Sequence, residues 1–257
     1  MKLILTLILT LLVYLSFAQQ NTDIPVKQNS ISITIGHNQF KDENIHPKVF
    51  SGLIIGALFQ HSKISKSISE YKTGLNISFM NTAYEEFPSS ANILIYGNYK
   101  YLYAVAHNEN LIYCLGPVFD LQYGTSAYFN WDESHLYFAN YLSGGIGNRI
   151  SYKIGDKSFD FNLDIPIISI ISRPELNRQY KIDNISFGGI LRKLSSNLES
   201  ALPNKNFYVQ TGIEIKFPSP NNKKRSVGYN FKYHYMKANN GNPYQNIKHS
   251  VSYKYIF

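Results

Sequence analysis

Ser30-Ile31-Ser32-Ile33-Thr34-Ile35-Gly36-His37 is the stretch on which the fold turns. Its isoleucines stand at every second position, with small or polar residues between them. A β-strand sends successive side chains to opposite faces, so the octet has one greasy face and one polar face. On a helix the same isoleucines would scatter around the cylinder. The pattern recurs down the chain. In Tyr71 to Phe79, Leu75, Ile77 and Phe79 oppose Lys72, Gly74, Asn76 and Ser78. Asn92 to Tyr103 sets Ile93, Ile95, Tyr99, Tyr101 and Tyr103 against Asn92, Asn98 and Lys100. Phe159, Phe161, Leu163, Ile165 and Ile167 alternate with Asp160, Asn162, Asp164 and Pro166. Phe207, Val209, Ile213, Ile215 and Phe217 alternate with Gln210, Gly212, Glu214 and Lys216. Val227, Tyr229, Phe231, Tyr233 and Tyr235 alternate with Gly228, Asn230, Lys232 and His234. Three further segments, Gly52 to His61, Leu111 to Tyr123 and Leu136 to Ile154, are strand-like with less distinct faces.

The segments run to roughly nine to thirteen residues, the length a tilted strand needs to cross a bilayer. Strands of soluble sandwiches are nearer five or six. The reading is therefore an all-β, closed antiparallel up-and-down transmembrane barrel; a secreted sandwich also alternates and stands as the competing architecture. Single-chain bacterial barrels have an even strand count. About seven segments precede Pro174 and three follow Asn206, which predicts ten strands, or twelve if Ile185 to Leu191 adds a hairpin. Short turns are expected at His107 to Asn110, Gly155 to Ser158 and Pro218 to Lys224 on the periplasmic side. Outer loops are expected at Lys41 to Val49, Asn81 to Ser90, Gly124 to Glu133 and Ala238 to Tyr244, with a long excursion over 169–205.

Composition agrees with a chain short of water-facing surface. Charged residues make up 16% and aromatics 15%, with 21 Tyr to a single Trp, whereas a soluble domain carries roughly 25% charged residues. Tyr suits both strands and membrane–water interfaces. Tyr71, Tyr103, Tyr123, Tyr137, Phe207 and Tyr235 lie near segment ends and are read as interface girdles. The net charge of +8 is spread along the strands, and Lys223-Lys224-Arg225 is its only dense run. A nucleic-acid footprint is therefore not expected, and phosphorylated lipid is the better partner for this charge. Cys114 is the only cysteine, which rules out an internal disulfide and cysteine-rich zinc sites.

Met1-Lys2, an apolar run from Leu3 to Phe17 and the small residues of Ser16-Phe17-Ala18 before Gln19-Gln20 make a cleavable secretory leader, residues 1–18. Residues 19–29 follow as a periplasmic segment, and the barrel is expected over 30–257. The last residues, His249-Ser250-Val251-Ser252-Tyr253-Lys254-Tyr255-Ile256-Phe257, set Val251, Tyr253, Tyr255 and Phe257 on one face and end on an aromatic. This strand resembles the C-terminal recognition strand of outer-membrane barrel proteins, and the leader junction resembles those of Bacteroidetes-type outer-membrane proteins. The resemblance implies a porin-like cell-envelope barrel in the outer membrane, delivered by the barrel-assembly machinery. It implies no activity.

With the apolar faces toward lipid, the lumen-facing polar candidates are Lys72, Lys100, Asp120, Asp160, Asp164, Glu214, Lys216, Lys232, His234 and Lys254. Both charge signs are present, and in a barrel of about ten strands long side chains of opposite sign reach across and close the interior. Each candidate is first of all a partner in interior ion pairs and hydrogen bonds. No His/Asp/Glu cluster has metal-ligand spacing, and no cofactor is implied; Glu85-Glu86 and Asp132-Glu133 read as solvated loop charges. His37, His135 and His234, with the many serines, could build a membrane-edge hydrolase, but no diagnostic spacing links them. The expected function is a non-enzymatic envelope, binding or assembly role, with outer-membrane lipids, lipopolysaccharide and an envelope protein as partners. The alternatives are a narrow channel for small solutes and a lipid-modifying hydrolase.

Overall fold

A computed structural model describes residues 26–43, 46–82, 89–129, 136–173, 197–218, 224–239 and 241–257. The expected leader, His135, Glu85-Glu86, Asp132-Glu133, Lys223 and the 185–191 hairpin lie outside the described residues. The described residues contain no helix. The strands are β1 (Val26–Asp42), β2 (His46–Ile64), β3 (Ser67–Asn81), β4 (Ser90–His107), β5 (Leu111–Tyr128), β6 (Leu136–Phe138), β7 (Asn140–Ile154), β8 (Lys157–Ser172), β9 (Leu198–Ala201), β10 (Asn206–Phe217), β11 (Lys224–Met236) and β12 (Tyr244–Ile256).

Ten long strands and two short ones form a closed antiparallel barrel. Each long strand pairs with its neighbour in sequence, β8 pairs with β10, and β1 closes the ring on β12. The short strands are interrupted parts of wall strands. β6 continues β7 in the same register on β5, broken only around Ala139. Between β9 and β10 four additional residues are inserted: Ser169 faces Ala201, but Asp164 faces Gln210. They are taken up by a turn in which the Lys205 and Asn206 amides both donate to the Leu202 carbonyl.

The start of β1 and the end of β12 meet at one rim, the terminus rim, where Asn29 and Phe257 exchange two backbone hydrogen bonds of 2.8 and 2.9 Å. Tight turns occupy the same rim. In the β7–β8 hairpin Ile154 pairs with Lys157, and Gly155 supplies the left-handed φ of 55° that a two-residue hairpin requires. The other rim carries the remaining connections, as the alternation of short and long links predicts. Two of the expected outer loops are shorter than the sequence suggested, because β1 runs to Asp42, β2 begins at His46 and β5 runs to Tyr128; those at Asn81 to Ser90 and Ala238 to Tyr244 keep their bounds to within two residues. Of the 169–205 excursion, Ser169–Ser172 belong to β8 and Leu198–Ala201 form β9.

Alternation decides which face is which. Ser30, Ser32, Thr34 and Asn38 are buried inside, while Ile31, Ile33 and Ile35 stand exposed on the outer wall. Leu75, Ile77, Phe79, Ile93, Ile95, Phe119, Ile213, Val227, Tyr229, Val251 and Tyr253 extend this outward apolar belt around the ring. A bulge keeps the belt intact on β8: the register shifts where Gly145 faces Pro166 and Gly144 faces Ile168, so Ile167 and Ile168 both point outward. At the closing seam Gly36 lets β1 approach β12. A Cβ there would lie 2.0 Å from the His249 carbonyl oxygen and 2.6 Å from Ser250 Cα. Gly36→Ala is expected to cost about 1–3 kcal/mol by overpacking the seam, read as a lower urea midpoint for unfolding of the detergent-refolded barrel.

Candidate functional site: the charged lumen

All ten lumen-facing candidates lie on the inner wall. Lys100 Nζ sits 2.7 and 2.8 Å from the two carboxylate oxygens of Asp164, three strands away around the ring. Asp160 pairs with Lys216 at 2.6 Å, and Glu214 pairs with Lys254 at 2.7 Å. Lys254 also donates to Gln60 Oε1 on β2. Lys232 lies 3.5 Å from Asp120, four strands away, and donates to Gln122 Oε1 and to the Tyr141 hydroxyl. Tyr141 in turn donates to Asp120 at 2.6 Å. Lys72 reaches Glu70 at 2.7 Å.

Glu70 joins these pairs and was missed in the sequence. It is fully buried; its Oε2 accepts from Arg149 Nη2 at 2.6 Å and from Gln60 at 2.8 Å. Arg149 also donates to Asn162 at 2.8 Å, so four strands share one knot near the terminus rim. One more step of the Lys72 alternation would have found Glu70. Arg149 lay in a segment whose faces the sequence left indistinct.

The loop rim is closed differently. Phe40, Phe50, Met80 and Tyr128 form a buried cluster with Tyr137 and Tyr244 against it, and the Phe40 and Phe50 rings stack at 5.1 Å. Tyr137 was expected in an outer girdle but lines the lumen, packed 5.6 Å from the Tyr128 ring. Its position follows from β6 keeping the register of β7, which sets Tyr137 opposite Ser126, itself an inner-wall residue. Arg173 clamps this end: it donates to Asp42 at 2.7 Å and to the Asn242 and Met236 carbonyls, with its guanidinium 5.8 Å from the Tyr244 ring. Asp42 had been assigned to a loop, and Arg173 falls within the expected 169–205 excursion, so alternation gave neither a face.

Between the two closures lies a cavity of ≈ 150 Å³, lined by amides, hydroxyls and lysines, among them Asn38, Asn76, Asn98, Tyr96, Lys232 and Lys248. A smaller space of ≈ 20 Å³ lies beside Arg149, Lys216 and Lys254.

Of the candidate histidines, the two among the described residues, His37 and His234, do not converge. His37 is exposed on the outer wall, beside His249 in register. His234 is buried inside, where its Nε2 is 2.8 Å from Asn206 Oδ1. The Asn206 amide donates onward to Ser169, which hydrogen-bonds Ser143 at 2.7 Å. Asn206 therefore stands between the imidazole and these serines, an arrangement that orients a ring but gives it no hydroxyl to activate. Among the described residues no group of three or more His, Cys, Asp or Glu is placed to hold a metal ion.

Val251, Tyr253 and Tyr255 lie on the outer face of β12 and Phe257 directly follows it, with Val251, Tyr253 and Phe257 exposed. Tyr253 pairs with Ile33 and Tyr255 with Ile31.

No family model matches the chain, and no curated protein matches its sequence. Among solved structures it is similar to the beta domain of the Bordetella autotransporter Brka, at 9% identity and a TM-score of 0.46, covering 90% of this chain and 99% of that one. It is similar also to the translocator domain of autotransporter NalP from Neisseria meningitidis, at 8% identity and a TM-score of 0.42, covering 94% and 92%. Neisserial surface protein A follows at 10% identity and a TM-score of 0.33, covering 88% and 95%.

Proposed function

We propose that this chain is an integral barrel of a Gram-negative-type outer membrane, that its own ion pairs shut the lumen, and that it works through its loop rim in a non-enzymatic envelope, binding or assembly role. The apolar belt supports the membrane: a soluble monomer rarely exposes a contiguous apolar patch beyond a few hundred Å², and this one encircles the wall. The terminus rim supports it as well. Lys27, Lys63, Lys66, Lys153, Lys157, Lys224 and Arg225 are exposed there against Glu109 and Asp156, a distribution suited to phosphate headgroups. Val251, Tyr253, Tyr255 and Phe257 give the assembly machinery an aromatic strand to read, and lipopolysaccharide or an envelope protein would meet the loop rim.

The observation that carries the shut lumen is the knot around Glu70 together with the Asp120–Lys232 and Lys100–Asp164 pairs, all of which reach across the ring. The refolded protein is expected to insert into planar bilayers without discrete conductance steps. A narrow channel is the second reading, and the cavity between the closures is the observation in its favour. Reproducible single-channel openings from heat-modifiable, folded protein would discard the shut lumen and install the channel.

A further inference from the structure

We propose that the cavity is a binding site for a small molecule of the hydroxycarboxylate class, with Lys248 as its anchor. Lys248 and Lys232 are direct cross-strand partners on β12 and β11, and both line the cavity. Like charges placed opposite each other in a sheet repel, so this arrangement costs stability unless something negative lies against it. The acids of the lumen are already engaged: Asp42, Glu70, Asp120, Asp160, Asp164 and Glu214 each hold a cation. Lys232 directs its protons to Tyr141, Gln122 and Asp120. Lys248 has no carboxylate partner among the described residues, and its ammonium lies 5.7 Å from the Tyr96 ring. Lys232 and Asp120 cancel, and Lys72 shares Glu70 with Arg149, so Lys248 is the cavity lysine without a carboxylate of its own and calls for an anionic group on the ligand.

The second half of the ligand is read from Asn98, the next lumen-facing residue along β4 after Tyr96. It is buried, it lines the cavity, and its Oδ1 accepts no hydrogen bond among the described residues. It also faces Asp120 directly across the β4–β5 ladder, so it sits beside the same charge cluster. A carbonyl oxygen can only accept, so it calls for a donor on the ligand. Carboxylate to Lys248 and hydroxyl to Asn98 is the pattern of a hydroxycarboxylate, and a cavity of ≈ 150 Å³ suits a molecule of that size. The inference depends on the lumen's geometry and not on whether the lumen conducts.

The test is calorimetric titration of the detergent-refolded full chain with glycolate, acetate and ethylene glycol. Glycolate is expected to bind, acetate about threefold or more weakly, and ethylene glycol not measurably. Lys248→Met is expected to fold at least as readily, since it relieves the repulsion, and to lose roughly tenfold or more in glycolate affinity. Lys248→Arg should keep the binding, and Asn98→Ala should erase the preference for glycolate over acetate. Folded wild type that ignores glycolate, or folded Lys248→Met that binds it as wild type does, overturns the site. Equal affinity for acetate and glycolate in wild type overturns the assignment to hydroxycarboxylates.

Discussion

Glu70→Gln is expected to destabilise the barrel by about 3–5 kcal/mol, one of the two largest effects foreseen for a single substitution in this chain. The carboxylate is fully buried and gathers Arg149, Lys72 and Gln60. Glutamine keeps its shape and an acceptor oxygen but removes its charge, which leaves the buried guanidinium with neutral amide acceptors in place of its paired carboxylate. Removing one member of a buried pair costs more than the pair contributes, because the other member stays desolvated without compensation. The companion substitution makes the argument specific: Glu70→Gln combined with Arg149→Met should recover a good part of the loss. The measurement is the urea midpoint of the detergent-refolded protein, followed by the mobility shift between folded and heated forms. A single-variant loss below about 1 kcal/mol, the range of exposed pairs, would mean that the knot is solvated and does not close the lumen.

Ile33→Arg addresses the other face. Ile33 stands mid-strand on the outer wall with 66% of its surface exposed, between Ile31 and Ile35 and opposite Tyr253. In water an exposed substitution of this kind changes stability by only about ±0.5 kcal/mol. At a bilayer midplane an arginine on the lipid face costs about 2–4 kcal/mol. The expected result is a barrel that refolds poorly into phosphatidylcholine vesicles, while Ile33→Leu refolds as wild type. Equal folding yield for Ile33→Arg and Ile33→Leu would place this face in water and remove the membrane from the account.

The wall was legible in the sequence because a two-residue period is a local property. Ile31, Ile33 and Ile35, or Phe159 and Phe161, declare a face without knowledge of any neighbour, and the ten strands follow from counting such runs. The interruptions at Ala139 and Leu202–Lys205 were not legible, since each leaves a plausible strand on both sides and is defined only by the partner's register. The lumen was half legible for the same reason. Alternation assigned Lys72, Lys100 and Asp164 an inner face, but the Lys100–Asp164 contact joins residues 64 apart in the chain, and no local pattern encodes it. Charges at strand ends were lost altogether: Asp42 was taken for loop and Arg173 for part of the long excursion, yet the two meet at 2.7 Å across the mouth. Lys248 stood outside the alternating run read at the C-terminus, and only the pairing of β11 with β12 puts it opposite Lys232.

The seam between β1 and β12 joins the first of the described strands to the last. Ser30 waits for Ile256, and Asn29 for Phe257, so no partial product of translation can bury its margins. Until β12 has been made, β1 offers a row of unsatisfied amides and carbonyls to any neighbour, the condition under which sheets aggregate. Such distant pairing is also slow to find. The cell therefore has to chaperone the whole polypeptide as an unclosed ribbon, and a premature stop anywhere before β12 yields sticky debris instead of a smaller working barrel.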